Sequence, residues 1–264
     1  MIDGQFSLMN KINFTKQKIK SFIPKEIYNY IMLHKLNRLL IARLIHVIKN
    51  LYPKIKYCNI CGWGGKYFFQ DTRCPICFSL PRHRFLGYII SEIVINKKKN
   101  VLLIGSDMAE ILLFKKKGFK KVTILNKEKR FITDLVCDIT SHQLVNDSFD
   151  LIIMWHVLEH IHEDRLAVEN VFHLLRDKGH FIFSVPIFPK GNKKTYKPKY
   201  GNIEDRTQKT GHPDHVICCG KDYADRFSKL NFNIKKTVRV SDNSRSEIEK
   251  YHLNINHYAW HFEK

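Results

Sequence analysis

The sequence predicts an α/β protein: a doubly wound, mostly parallel sheet preceded by a small cysteine module. Three observations predict it. Beyond residue 100, short apolar runs alternate with helical stretches, as in strands joined by crossover helices. The pairs Cys58-Asn59-Ile60-Cys61 and Cys74-Pro75-Ile76-Cys77 repeat one spacing, with twelve residues between them. The 264 residues, 44% hydrophobic and 27% charged, suffice for one full-sized domain and a small module but not for several large domains.

Three segments follow in order. Residues 1–57 carry 11 basic and 2 acidic residues. From Pro24 to Lys49 apolar residues recur at spacings of three and four, predicting an amphipathic helix with a basic polar face. Such a helix packs on the rest of the chain, lies on an anionic membrane surface or faces nucleic acid. Residues 58–96 are the cysteine module and a linking helix. Gly62, Gly64 and Gly65 permit a tight backbone after the first pair, Tyr67 to Phe69 are expected to form a strand, and Arg82-His83-Arg84 opens a helix reaching Ile95. Residues 97–264 are the sheet domain. Strands are expected at 101–104, 122–125, 135–137, 149–154, 180–185, 232–240 and 256–262. Helices are expected at 108–117 and 166–176, the second ended by Asp177-Lys178-Gly179.

Composition narrows the class. Lys and Arg number 45 against 25 Asp and Glu, a net charge of +20, which suits phosphate, an anionic surface or a phosphorylated substrate. Lys supplies 33 of those cations in a chain also rich in Ile and Asn, as AT-rich coding produces without any partner. No apolar run approaches the roughly 18 residues of a membrane span. The first residues lack the apolar stretch and small-residue cleavage site of a secretory signal, so a reducing, cytoplasmic setting is expected. There, Cys58, Cys61, Cys74 and Cys77 are ligands for one tetrahedral zinc ion rather than disulfide partners, and four filled positions make the site structural. Cys137, Cys218 and Cys219 fall outside the pattern.

Ligands of open parallel sheets bind beyond the carboxyl ends of the strands. Three such ends carry candidates: Gly105 before Ser106-Asp107, Asn126, and Asp138-Ile139. The fourth runs into Trp155-His156-Val157-Leu158-Glu159-His160, whose HxxEH spacing matches a zinc-protease motif. Its setting between Asp150-Leu151-Ile152-Ile153 and Gly179-His180-Phe181 favours a different reading.

These residues resemble the class I S-adenosylmethionine-dependent methyltransferases of the type 11 kind, in the bacterial group with an N-terminal cysteine module. The resemblance rests on Cys74-Pro75-Ile76-Cys77-Phe78-Ser79-Leu80-Pro81-Arg82-His83-Arg84, similar to CPxCxSLxRHR, and on Asp150 with His156 to Ile161. It continues through Val185-Pro186-Ile187, Glu204-Asp205-Arg206, Gly211 to Val216 and Asp222-Tyr223. It implies a Rossmann-like, seven-stranded sheet, and S-adenosylmethionine held by Gly105, Asn126, Asp138 and Ile139 with its methyl group toward Trp155 and His156. Two positions depart from the pattern. Leu103 stands where the first-strand motif has an acid, and Asn126 replaces the carboxylate that holds the ribose.

Proton-accepting candidates are His215 with Asp214, and His156. Residues 196–223, with Gly191, Gly201, Gly211 and Gly220 as hinges, are expected to close over the acceptor. The acceptor expected is a small or glycan-linked molecule. A zinc-ribbon RNA methyltransferase and a non-catalytic adaptor on a degenerate fold are the alternatives.

Overall fold

The runs 101–104, 151–155 and 181–183 are apolar at every position, and such runs are stable only when covered on both faces. The computed structural model, which describes residues 56–93, 99–141 and 144–264, supplies that cover. The parallel strands are β3 (Asn100–Ile104), β4 (Lys121–Asn126), β5 (Leu135–Val136), β6 (Phe149–Trp155) and β7 (Leu175–Ser184). With β8 (Ile234–Arg239) and β9 (Tyr258–Glu263) they form a seven-stranded sheet, ordered β5-β4-β3-β6-β7-β9-β8. β9 runs antiparallel to both β7 and β8. Two further short strands, β1 (Lys56–Tyr57) and β2 (Gly64–Gly65), pair with each other in the cysteine module. The basic helix expected near the amino terminus lies outside the described residues.

Alternation along each strand divides the core in two. Leu102, Ile104, Ile152, Met154, Phe181 and Phe183 face one side, where α3 (Asp164–Leu174) and the segment around Tyr223 and Phe227 pack. Val101, Leu103, Leu151, Ile153 and Ile182 face the other. There they meet α1 (Pro81–Glu92) through Phe85, Leu86 and Ile89, α2 (Met108–Lys116) through Ile111, Leu113 and Phe114, and the module through Cys58, Ile60, Phe68 and Cys74. The cysteine module therefore has no separate core. Residues 53–264 form one compact unit, and the boundary expected at residue 97 falls inside it.

Local chemistry sets the element ends. Asp107 caps α2, its Oδ1 accepting from the Ala109 N–H at 2.8 Å, which satisfies an otherwise orphaned helix donor. Asn202 caps α4 (Ile203–Thr210) in the same way, and Ser244 caps α5 (Arg245–Tyr251). α3 stops two residues before the expected end because Leu175 already pairs with Phe149. Pairing resumes at Leu151 and His180, so Arg176 to Gly179 form a bulge rather than a helix stop. Tyr67 to Phe69 form no strand. Phe69 makes a single bridge to Arg73, and Phe68 turns inward to be buried.

One side chain joins three segments. Arg84, fully buried on α1, donates from Nε to the Tyr251 carbonyl (2.7 Å), from Nη1 to Ser79 (2.7 Å), and from Nη2 to Thr72 (3.0 Å) and His252 (3.1 Å). Its guanidinium also lies over the Phe68 ring, 4.0 Å from the centroid. Burial lowers the Arg84 pKa to about 10, against the opposing pull of the cysteine sulfurs, so the group stays charged at neutral pH. Replacing Arg84 by Ala leaves these carbonyls without their donor, each costing about 1–3 kcal/mol when buried. The variant is expected to lose about 3 kcal/mol or more, read as a lower denaturant midpoint at unchanged slope.

Candidate active site

The carboxyl ends of β3, β4 and β6 meet at one edge of the sheet, and buried polar atoms without partners gather there. They include Ser106 Oγ, Glu110 Oε2, Asn126 Oδ1, His156 Nε2 and Glu159 Oε2. Buried polar groups in folded proteins are nearly always paired, so a cluster of orphans marks a place where a ligand completes them.

On the β3 side, Gly105 has φ +67° and an added Cβ would lie 2.7 Å from Val157 Cγ2, so the position requires glycine for both conformation and space. Behind it stands a buried trio. His83 Nδ1 accepts the Leu80 N–H (3.1 Å), which places the ring proton on Nε2, 3.1 Å from Asp107 Oδ2 and 3.8 Å from Glu110 Oε1. Burial raises Asp107, but the contact with His83 outweighs it and holds the carboxyl near 2. Burial, with the Asp107 charge, pushes Glu110 up to about 8. The expected acid is absent at Leu103 because that position points into the apolar core shared with the cysteine module. Near Gly105 the carboxylates are instead those of Asp107, which caps α2, and Glu110 on α2.

Asn126 closes β4, its Nδ2 donating to Thr133 Oγ1 (2.9 Å). Its buried Oδ1 remains free to accept a hydroxyl proton. Asp138 is engaged by its neighbours: Oδ1 accepts from the Thr140 N–H (3.0 Å) and hydroxyl (2.7 Å), and Oδ2 pairs with Lys127 (3.0 Å). Those bonds lower its pKa to about 2. Ile139 is buried in the core, its carbonyl accepting from Asn170 Nδ2 (2.7 Å). Trp155 is also buried, its Nε1 donating to the Arg82 carbonyl (3.1 Å), so its indole anchors the start of α1 to the end of β6.

On the β6 side, His156 has φ +57°, a strained conformation for a residue with a side chain. Burial drives its pKa well below the ordinary value, with the Arg82 charge adding to the effect. Glu159 Oε1 lies 3.5 Å from His156 Nδ1, 3.9 Å from His160 Nε2 and 3.9 Å from His215 Nε2. The partner expected for His215 was Asp214. The structure corrects this: the Asp214 carboxylate is largely exposed and sits 3.9 Å from His212, while the buried Glu159 faces His215. Sequence reasoning missed this because Glu159 and His215 are far apart in the chain. They are joined by a backbone bond from Val216 N to the Glu159 carbonyl (2.9 Å).

The segment over this site is more constrained than its glycines suggested. It contains α4, and Tyr196 bridges Cys218. A Cβ on Gly211 would lie 2.6 Å from the Phe188 ring, and one on Gly220 would lie 2.5 Å from the Lys194 backbone. Both are close-approach positions rather than hinges. Buried Asp164 on α3 binds Arg226 (2.6 and 2.7 Å), the Tyr223 hydroxyl (3.1 Å) and Lys197 (3.5 Å), fixing both flanks of the segment.

A family model described as a methyltransferase domain matches residues 79–235, more than half of the chain. The chain belongs to the class I methyltransferase family. Similar solved structures include S-adenosylmethionine-dependent methyltransferases from Archaeoglobus fulgidus (12% identity over 69% of this chain and 94% of that one, TM-score 0.47) and Mesorhizobium loti (12%, 69% and 98%, 0.48). A third is the 1,6-didemethyltoxoflavin-N1-methyltransferase of Burkholderia thailandensis (15%, 70% and 76%, 0.48). No curated protein sequence matches the chain. Among the described residues of this methyltransferase, no helix is long and apolar enough to cross a membrane.

Among the described residues of the methyltransferase, three groups of side chains have metal-ligand composition: the four cysteines, Glu159 with His160 and His215, and His83 with Asp107 and Glu110. The cysteines fit zinc best. A tetrahedron with Zn–S bonds of about 2.3 Å has edges of about 3.8 Å, and Cys58–Cys77 and Cys61–Cys74 are separated by 3.6 and 3.5 Å at sulfur. The Ser79 hydroxyl sits 3.2 Å from the sulfurs of both Cys58 and Cys77, a second layer of the kind that orients metal ligands. Purified protein is expected to carry one zinc per chain by elemental analysis, and Cys74→Ser to carry none and unfold at lower temperature, because binding energy in such a module is folding energy. Zinc-free wild type that folds with four titratable thiols rules the site out.

Proposed function

We propose that this chain transfers a methyl group from S-adenosylmethionine to a hydroxyl or amine of a small or glycan-linked acceptor, with a structural zinc ion held by Cys58, Cys61, Cys74 and Cys77. The observation that carries the reading is the group of buried, unpartnered polar atoms at the carboxyl ends of β3, β4 and β6. When bound, the donor supplies a methyl group already activated on sulfonium sulfur. The protein's own contribution is then position and proton transfer.

In this reading Asn126 Oδ1 accepts from the ribose, Gly105 lets the backbone come close, and Asp138 and Ile139 border the adenine. Bonds to Thr140 and Lys127 already hold the Asp138 carboxylate in one orientation. His215 takes the acceptor proton. Its Nδ1 lies 3.3 Å from the Thr210 carbonyl, which can only accept, so Nδ1 carries the hydrogen and Nε2 presents a lone pair. Burial lowers the His215 pKa while the Glu159 carboxylate opposes that shift, leaving the imidazole neutral at pH 7. Glu159 stabilises the imidazolium that forms. His156, whose Nδ1 lies 3.5 Å from Glu159 Oε1, is the second candidate base. Asp214 contributes its backbone: its carbonyl lies 3.1 Å from His160 Nδ1 and orients that ring.

His215→Ala is expected to leave S-adenosylhomocysteine affinity intact and to lower kcat by about 10²-fold or more, the ordinary contribution of a general base. The pH profile carries a sign. The base works deprotonated, and its folded pKa is lowered, so kcat rises with pH through a midpoint below the usual imidazole value and is level across neutrality. A variant with full turnover against an identified acceptor transfers the role to His156.

A further inference from the structure

Residues 190–209, which lead up to Thr210, carry seven basic residues and two acidic ones. Several of these cations have carboxylates of their own. Lys194 pairs with Asp222 (3.9 Å), Lys197 with Asp164 (3.5 Å) and Lys209 with Asp205 (2.8 Å). Lys190, Lys193 and Lys199 are exposed, where water serves their ammonium groups. Arg206 on α4 has neither. It is partly buried, its Nε is fully buried with no hydrogen-bond partner, and no carboxylate of the described residues lies within ion-pair distance of its side chain. The neighbouring acid, Asp205, is taken by Lys209 and by the Gly201 N–H (3.0 Å).

Two contacts place this side chain. Its guanidinium carbon lies over the Tyr200 ring, 5.0 Å from the centroid. The N–H bonds of a guanidinium lie in its own plane, so a ring against its face leaves the donor edge unspent. One turn further along α4, the Thr210 hydroxyl donates to the Arg206 carbonyl (2.8 Å), and the Thr210 carbonyl lies 3.3 Å from His215 Nδ1. Residues i and i+4 share a helix face. Arg206 therefore stands on the face of α4 that carries the residue orienting the candidate base. A planar donor edge without an anion fits a phosphate or a carboxylate. The surplus of basic residues over 190–209 decides between them, because a dianion gains more from that field than a monoanion.

We propose that Arg206 anchors a phosphate subsite for the acceptor, so that this methyltransferase acts on a phosphorylated sugar or glycan. The guanidinium edge holds the phosphoryl oxygens, and the acceptor hydroxyl or amine is left to His215. This rests on the functional reading of the site given above. It narrows the acceptor from a small or glycan-linked molecule to one that carries a phosphoryl group.

The test is calorimetry on the full chain saturated with S-adenosylhomocysteine, at fixed salt because exposed charges are screened. The probes are inorganic pyrophosphate, glucose 1-phosphate and glucose. Wild type is expected to bind pyrophosphate, and to bind glucose 1-phosphate more tightly than glucose. Arg206→Gln is expected to weaken pyrophosphate by about 10- to 100-fold, the range for a charge-assisted contact, and to erase the preference for glucose 1-phosphate. Arg206→Lys is expected to recover part of the loss, because the charge returns without the fork. If Arg206→Gln melts early, Arg206→Lys carries the comparison, its loss smaller but still confined to the phosphorylated probes. Lys116→Gln, an equal loss of charge at the exposed end of α2, is expected to change neither isotherm. Wild type that does not bind pyrophosphate, equal losses in Arg206→Gln and Lys116→Gln, or an Arg206→Gln isotherm like that of wild type overturns the subsite. Pyrophosphate binding that depends on Arg206 without any preference for glucose 1-phosphate over glucose assigns the site to free phosphate and overturns the acceptor class. Wild type that does not bind S-adenosylhomocysteine overturns the donor reading, a failure seen before any phosphate probe is added.

Discussion

A guanidinium buried in a protein interior is tolerated only when its donors are satisfied and its charge is balanced. Arg84 meets both conditions, and much of the molecule is arranged so that it can. Its donors go to Thr72 and Ser79, which flank the second cysteine pair, and to Tyr251 and His252, which end α5. The balancing charge comes from the cysteine sulfurs, whose proximity favours the ionised guanidinium. The module, the helix after it and the carboxyl-terminal helix are thereby locked in one geometry.

That lock explains why the module has no core of its own. A segment of about forty residues buries too little surface to be stable alone without a metal or a neighbour. Here the apolar face of the sheet is that neighbour. Phe68, Cys58 and Cys74 enter the apolar cluster that covers one face of the sheet, and Phe68 is held between Arg84 and the His252 ring, 5.4 Å away. Leu103 belongs to the same cluster. An acid at that position would be placed against Phe85, Leu86 and Ile89, an apolar setting with no partner, and its charge would be lost.

The central strands were legible from sequence because each carries a short apolar run bounded by polar residues. The cysteine pairs were legible because their chemistry depends on local spacing. The candidate site was legible one residue at a time but not as a constellation. Gly105, Asn126 and His156 stand at strand ends, which periodicity locates. The pairing of His215 with Glu159 depends on how residues 196–223 fold back, and no local pattern encodes that. Gly211 and Gly220 illustrate the same limit: in sequence they mark freedom, yet in the structure they permit contact with Phe188 and with the Lys194 backbone. His83 was visible as part of a motif, but its work, fixing the Asp107 cap across to α2, appears only when both helices are placed.

The two ends of that motif are chemically continuous. Ser79 touches the sulfurs of Cys58 and Cys77 and gives its carbonyl to Arg84; Leu80, next in the chain, gives its N–H to His83, and His83 faces the carboxylate that caps α2. A displacement at the cysteines therefore reaches the loop after β3 through four residues and one helical turn, without crossing the sheet. Pro81 at the start of α1 fixes φ and has no N–H to satisfy, and the Leu80 N–H before it goes to His83. An interdomain hinge would absorb such a displacement. A helix start with its cap, its buried arginine and its histidine all engaged transmits it, so the geometry of the four cysteines and the geometry of the loop after β3 are set together.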